Sequence, residues 1–302
     1  GGSVSFECGT ERCISYFAEA LIHFAPFVKQ SLDVTLRAGT TNSPYGDVST
    51  DALIAAWIPV LKRFLTNDPN VEIKIIRRGL KPDGGGEIVL RVPNISRNLC
   101  AVQLDTICQG RISKIRGTAY ICKVSPLLAN RMIEAAKSVI KMVTSLGDVF
   151  VYVDQRKGVA SGLSPGFGIS LMAYSNASSS ENSGVVYTGF AASNPCGEEP
   201  KVPEDVGREA AYALLDEIYR GGCVDSSAQS LALTFMALGA KDVSTIVLGP
   251  LSSYTVETLR TIRDFVGVTF KIETITQSFD SDERKDLMFG AEKLKGNSKI
   301  RA

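Results

Sequence analysis

Apolar residues alternate with mostly polar ones on both sides of a glycine-rich stretch in the first third of the chain. They occupy every second position from Val71 to Ile75 and again from Ile88 to Val92. A period of two is typical of strands that bury one face, so the pattern predicts two strands joined by a long turn. The turn contains Gly84, Gly85 and Gly86. Such a run is expected where φ is positive or where another backbone comes close.

Periodicity also predicts the other elements. The helix over 11–25 contains His23, and the next begins at Ser49 or Thr50, with a kink or break expected at Pro59. Helices packed on mixed sheets indicate an α+β (α/β) architecture. The polar stretch 276–286 is expected to be a mobile loop. Helices are predicted over 11–25, 50–65, 126–144, 203–219, 226–238 and 255–265, and strands over 32–36, 71–76, 86–92, 101–105, 114–124, 149–153, 169–174, 184–190, 243–248 and 268–272.

Composition limits the classes of function. At 302 residues the chain is expected to hold two domains, and its 33 basic and 32 acidic residues nearly cancel. RNA would therefore have to bind a local patch. No apolar run is long enough for a membrane span. The seven cysteines form no CxxC pair, so we expect reduced thiols and no metal. The chain begins Gly1-Gly2-Ser3 without Met, as expected of a fragment.

The glycine-rich stretch carries a specific motif, Arg78-Gly-Leu-Lys-Pro-Asp-Gly-Gly-Gly-Glu-Ile88. Its pattern of Arg, Pro and glycines resembles the signature of the RNA 3'-terminal phosphate cyclase family, against the alternative of an ordinary glycine-rich hairpin. The resemblance implies repeated βαβαββ-like units that form a large domain, 1–111 with 222–302, and a smaller inserted α/β domain, 112–221. It begins partway along the family's length, which implies that the N-terminal repeat is missing.

The resemblance also implies a chemistry from which this sequence departs. Family enzymes use ATP, a histidine takes up AMP, and the RNA 3'-phosphate ends as a 2',3'-cyclic phosphate. Tyr254 stands at the matching histidine position, and a phenol with a pKa of about 10 is a poor substitute for imidazole. Ala228 replaces the family's acidic residue beside the retained Gln229, and we expect Asp225 to cap that helix. The loss of both the histidine and the acidic residue from one site predicts a relative with no catalytic residue and no cofactor. His23, the only histidine of the chain, is expected to be a partly buried structural residue.

Three further segments resemble the branch of the family that serves eukaryotic ribosome biogenesis: Arg220–Ser226, Leu248–Tyr254 and Lys157–Gly168. This branch implies a factor of the small-subunit processome in the nucleus and nucleolus. Such a factor would act in 18S pre-rRNA processing and 40S biogenesis, bind a ribosome-assembly GTPase, and possess an affinity for pre-rRNA. The alternatives are an active ATP-dependent cyclase and a structural adaptor that never touches RNA.

Two rival chemistries remain open at this point. Lys81-Pro-Asp-Gly84 matches the short Lys-x-Asp-Gly motif in which ligases and capping enzymes attach a nucleotide to lysine. Metal-dependent hydrolysis would need converging carboxylates, for which no spacing singles out a set. Solvated surface acids are the default interpretation of the available carboxylates, Glu87, Asp105, Asp154 and Asp225.

Basic residues near these motifs are candidates for RNA or phosphate binding. Arg78 is the first choice because its planar fork suits phosphate, and Lys81 with the backbone N–H groups of Gly84, Gly85 and Gly86 flanks it. Arg260 and Arg263 share a face of the helix after Tyr254. Lys114 and Arg116 lie near the expected domain junction. The alternative for all of them is that surface charge keeps the protein soluble.

Overall fold

A computed structural model describes residues 1–42, 46–66, 70–93, 99–104, 112–143, 147–175, 184–193, 200–275 and 297–301. These residues form three four-stranded sheets with helices packed against them. The predicted α+β class is therefore confirmed. The predicted loop over 276–286 lies outside the described residues. Within the described ranges, no helix is long and apolar enough to span a bilayer.

The first sheet belongs to a complete βαβαββ unit. Its strand order is β1-β2-β4-β3, with β1 parallel to β2 and the other pairs antiparallel. The sequence pattern missed β1, because all six of its residues are exposed and no buried face marks it. The unit consists of β1 (Gly2–Glu7), α1 (Ile14–Phe24), β2 (Leu32–Gly39), α2 (Thr50–Ala52), a π-helical turn (Leu53–Trp57), α3 (Ile58–Arg63), β3 (Glu72–Arg77) and β4 (Gly86–Val92).

The irregularity predicted at Pro59 takes the form of that π-helical turn. Pro59 lies in the first turn of α3, immediately after it. Proline lacks an N–H and collides with the carbonyl four residues earlier in a regular α-helix. A widened turn just before it accommodates both defects, and Trp57 at its end is buried in the core.

The second unit repeats the topology of the first. Its sheet order is β5-β10-β12-β11, with β5 parallel to β10 and the other pairs antiparallel, which matches β1-β2-β4-β3 strand for strand. The sequence pattern missed β12, which lies in the basic tail. This unit consists of β5 (Gln103–Leu104), α6 (Gln229–Leu238), β10 (Thr245–Leu248), α7 (Ser253–Val266), β11 (Lys271–Ile275) and β12 (Asn297–Arg301).

The third sheet lies in the sequence between the first strand and the first helix of the second unit. Its order is β7-β6-β8-β9, and helices α4 and α5 pack on one face. Its apolar core is a separate cluster from the one shared by the two repeated units. This separation supports, as a proposal, a large domain of 1–111 with 222–302 and an insert of 112–221. The insert's elements are β6 (Ile112–Cys122), α4 (Leu127–Val143), β7 (Val149–Arg156), β8 (Gly166–Ser175), β9 (Val186–Ser193) and α5 (Pro203–Arg220).

The cysteines differ from expectation at one position. Cys8, Cys13, Cys100 and Cys122 carry free thiols, whereas Cys223 is disulfide-bonded. The expectation of reduced thiols throughout is therefore wrong for Cys223. Across the described residues, no cluster of three or more His, Cys, Asp or Glu side chains is arranged to hold a metal ion.

Candidate functional site

Tyr254 lies in the first turn of α7, where its side chain is 60% exposed. Ser252 caps this helix by accepting a hydrogen bond from the backbone N–H of Thr255 at 3.1 Å. Partial burial raises the pKa of Tyr254, and the nearby Glu19 and Tyr16 raise it further. The phenol therefore stays neutral near pH 7, which makes it a weaker nucleophile than an imidazole would be at this position.

Gln229 bonds to Thr255, the residue after Tyr254, and so joins α6 to α7. Its side chain is buried, and its Oε1 accepts a hydrogen bond from Thr255 Oγ1 at 2.8 Å. Since Thr255 is the donor in that bond, Ser252 Oγ donates to Thr255 Oγ1 in turn, also at 2.8 Å. The amide nitrogen of Gln229 makes a long contact of 3.5 Å to the carbonyl of Pro250. The retained glutamine thus links two helices.

Asp225 caps the turn that carries Ala228, as the sequence predicts. Its carboxylate accepts from the N–H and Oγ of Ser227 at 3.0 and 2.5 Å, and from the N–H and Oγ1 of Thr188 at 2.7 and 3.0 Å. Burial raises the pKa of Asp225 although these bonds lower it. Beside it, burial and the charge of Asp225 raise the pKa of Glu217 to about 7. With all its acceptor directions engaged, Asp225 is occupied as a structural cap.

A cluster at the start of α1 borders Tyr254 and was missed from the sequence. Arg12 forks onto the buried Asp47 with bonds of 2.5 and 3.1 Å, and its guanidinium lies 4.1 Å from the ring centre of Tyr16. Burial raises the pKa of Glu19 to about 7, with help from Asp47 and against the opposing effect of Arg12. The spacing of Tyr16 and Glu19 was the available signal, because residues three apart share one face of a helix, whereas Arg12 precedes the helix and joins the cluster through Asp47.

His23 has the structural role predicted for it. Its Nδ1 lies 2.8 Å from the backbone carbonyl of Glu19, which can only accept, so Nδ1 carries the proton. The ring contacts the rings of Trp57 and Phe235 at centroid distances of 5.6 and 6.1 Å. Burial lowers the pKa of His23. This histidine is a packed part of the large core.

The glycine run has the predicted backbone geometry. Gly84 and Gly85 have φ values of +65° and +77°, and a Cβ on Gly85 would come within 2.9 Å of the Leu163 nitrogen. The N–H groups of Gly84 and Gly85 donate to the carbonyls of Leu80 and Ala38, at 2.9 and 3.3 Å. Phosphate binding by this loop stays a prediction, and the geometry does not favour it because these donors are engaged within the protein.

Arg78 is buried, contrary to the picture of an accessible phosphate ligand. Its guanidinium donates to both oxygens of Asp51, at 2.7 and 2.9 Å, and to Asp154 at 2.7 Å. It also lies 4.3 Å from the ring centre of Tyr120. Burial would lower the pKa of Arg78, but the two carboxylates outweigh burial and raise it. Because Asp154 and Tyr120 belong to the insert, Arg78 joins the insert to the first unit, and we leave it out of the proposed RNA surface.

The remaining candidates for RNA binding differ in their exposure to solvent. Arg260 and Arg263 are exposed on α7, paired with Glu257 and Asp264 at 2.5 and 2.8 Å. Lys81 is half-buried at the start of the glycine turn. These three stay predicted RNA contacts.

Three of the four carboxylates weighed for metal-dependent hydrolysis are engaged by other protein groups. Glu87 lies 3.6 and 3.5 Å from Arg37 and Arg77, and Asp154 is held by Arg78 and Arg156. Asp154 and Asp225 are buried rather than solvated, so the default interpretation of surface acids is wrong for both. Asp105 lies outside the described residues.

Comparisons with known proteins identify the family. The family model described as RNA 3'-terminal phosphate cyclase matches residues 1–272. A probable RNA 3'-terminal phosphate cyclase-like protein of Caenorhabditis elegans is 46% identical over 96% of this chain and 74% of its own length. The cyclase-like protein of Homo sapiens is 47% identical over 91% of this chain and 70% of its own. An rRNA processing protein of Schizosaccharomyces pombe is 37% identical over 91% and 72%. The chain therefore belongs to the RNA 3'-terminal phosphate cyclase family.

Proposed function

We propose that this protein is a non-catalytic member of the family that acts in rRNA processing. The observation that carries the proposal is the site around Tyr254. A neutral phenol stands where the family's enzymes present a histidine, and the side chains around it are engaged in helix caps and helix-to-helix links. Nucleotidyl transfer by the family's route needs an imidazole or an equally available nucleophile near neutral pH, and the neutral phenol of Tyr254 is a weaker one.

The role in rRNA processing is supported by the Schizosaccharomyces pombe relative, which is named an rRNA processing protein. The cyclase-like relatives match this chain over a similar length. In finer detail, we propose a nucleolar factor of the small-subunit processome that binds a ribosome-assembly GTPase and acts in 18S maturation. Arg260 and Arg263, exposed on one side of α7, are the proposed contacts to pre-rRNA. Phosphate oxygens of the RNA would then replace Glu257 and Asp264 as partners of these arginines, because exposed ion pairs contribute little free energy.

The proposal is tested in cells whose own copy of this chain can be switched off. Depletion should lower mature 18S rRNA severalfold and raise its precursors, while large-subunit rRNA changes little, as measured by hybridisation to labelled probes. Re-expressed Tyr254→Phe should restore 18S to the wild-type level, because removing the hydroxyl costs nothing where no phenolate is used. An unchanged ratio of 18S to large-subunit rRNA on depletion would refute the role in rRNA processing.

A further inference from the structure

The insert's sheet has one face that is covered along only part of its length. Helices α4 and α5 pack on the opposite face and form the insert's apolar core with it. On the first face, Tyr120 is buried against Asn42 and Arg78, and Thr188 is bonded to Asp225. These contacts close the end of the face at Tyr120 and, on the far edge strand β9, the level of Thr188. The other half, from the β7 edge to Lys114, lies outside them.

Aromatic side chains occupy that other half. Phe150 and Tyr152 lie two residues apart on the edge strand β7 and are 61% and 60% exposed. They lie on the same face as Asp154, because every second residue of a strand points the same way. On the neighbouring strand β6, Arg116 pairs with Phe150 and Thr118 pairs with Tyr152. Two large rings left in water on a sheet face are unusual enough to indicate an interaction site.

Positive charge is interleaved with these rings. Lys114, one pleat further along β6, holds its Nζ 5.3 Å from the ring centre of Tyr174, its partner on β8. Arg116 is oriented by a fork to Asp148 with two bonds of 2.7 Å, and because this pair is partly exposed a phosphate would compete with Asp148 for the guanidinium. Aromatic rings flanked by Lys and Arg on an open sheet suit single-stranded RNA, whose bases stack on rings while its phosphates meet the cations.

We propose that Phe150, Tyr152 and Tyr174, with Lys114 and Arg116, form a stacking surface for single-stranded RNA. We call it the insert platform. The spacing of Phe150 and Tyr152 is about 7 Å, since a strand rises about 3.3 Å per residue. That distance allows two bases of an extended strand to be held on separate rings. The inference deepens the proposed role in rRNA processing and rests on it for the choice of RNA as the occupant.

The local grouping of cations and rings, rather than the charge of the whole chain, favours this occupant over a peptide. The whole molecule has a net charge of +1, so non-specific attraction to RNA is weak and binding must come from a local surface. The insert platform combines cations and rings at one place, whereas a peptide that added a strand to the β7 edge would make no use of Lys114 or Tyr174. A protein partner is therefore an outcome of the test below.

The test measures binding of a fluorescein-labelled single-stranded RNA of about twelve nucleotides, a length within the range of known single-strand sites. Fluorescence anisotropy is recorded with the full chain and with the double variant Phe150→Ala/Tyr152→Ala. We expect the double variant to bind at least roughly tenfold more weakly, because each stacked base contributes of the order of one to three kcal/mol. Lys114→Gln should lower the salt dependence by about one phosphate contact.

The matched control is Leu127→Ala/Tyr212→Ala, which removes two exposed apolar side chains from the helical side of the insert. It should bind within about twofold of the parent, and base-paired RNA should bind the parent less tightly because its faces are stacked already. Equal RNA affinity of the platform variant and the parent would overturn the inference and leave the surface to a protein partner. Absence of RNA binding by the parent would also overturn it. The proposed function is tested independently, by the level of 18S rRNA in depleted cells.

Discussion

Replacing Arg78 by methionine is expected to destabilise the protein by about 3 to 5 kcal/mol, the usual cost of removing one partner from a buried ion pair. The substitution leaves Asp51 buried without the guanidinium that binds both of its oxygens. Asp154 keeps Arg156 but loses its bond to Arg78. Methionine fills much of the volume of arginine, so the loss of stability would come mainly from the missing charge and hydrogen bonds rather than from a cavity. Urea unfolding followed by the fluorescence of Trp57, the single tryptophan, measures the change.

Arg116→Met is the matched control for this prediction. Arg116 forks onto Asp148 with bonds as short as those of Arg78, but this pair lies at the surface, with side chains 35% and 57% exposed against 3% for Arg78. An exposed pair contributes about 0 to 1 kcal/mol, so this variant should unfold close to the parent. Adding Asp51→Asn to Arg78→Met should restore at least about 1 kcal/mol, because it removes the unpaired charge. Equal losses in the two methionine variants would show that burial of the Arg78 network contributes little.

Replacing Gly162 by alanine is the second substitution with a large expected effect, about 3 kcal/mol. Gly162 has a φ of +43°, and a Cβ there would collide with the Arg78 carbonyl and come within 2.6 Å of the Gly84 carbonyl. The left-handed conformation costs about 1 to 2 kcal/mol for a residue with a Cβ, and overpacking adds about 1 to 3. Both obstacles are backbone atoms, so neither can turn away as a side chain would. The same urea titration measures the loss.

Two other glycines separate these causes. Gly158 has a φ of +58° but open space around its Cβ position, so Gly158→Ala should cost about 1 to 2 kcal/mol through conformation alone. Gly147 has open space and no positive φ, and Gly147→Ala should change stability by less than about 0.5 kcal/mol. If Gly162→Ala were no more destabilising than Gly158→Ala, the predicted cost of packing a Cβ against the Arg78 and Gly84 carbonyls would be contradicted.

The glycine run shows what local sequence can predict. Three consecutive glycines have few physical explanations, and both of the expected ones, positive φ and a close backbone, are found at Gly84 and Gly85. The cap at Asp225 was equally accessible, because the capping residue and the N–H that it binds are two positions apart in the chain. Features set by neighbouring residues were thus predictable from the sequence.

Arg78 shows what local sequence cannot predict. Its partners Asp51 and Asp154 are 27 and 76 residues away, so nothing beside Arg78 marks it as buried. An arginine next to a glycine loop resembles a phosphate ligand whether its fork faces solvent or a pair of carboxylates. Strand β1 was missed for a related reason, because its pairing with β2 lies 30 residues further along and leaves no buried face of its own.

The measurement that tests the central claim most directly uses labelled ATP and an RNA that ends in a 3'-phosphate. The chain is incubated with both, and a protein–AMP adduct and a 2',3'-cyclic phosphate end are assayed, with an active cyclase of the family as positive control. Tyr254→His, assayed alongside, returns an imidazole to the first turn of α7. We predict neither adduct nor cyclic end from the parent protein. A cyclic end formed by the parent would contradict the non-catalytic assignment, and the residue that carries the AMP, with His23 and Lys81 examined first, would then define the active site.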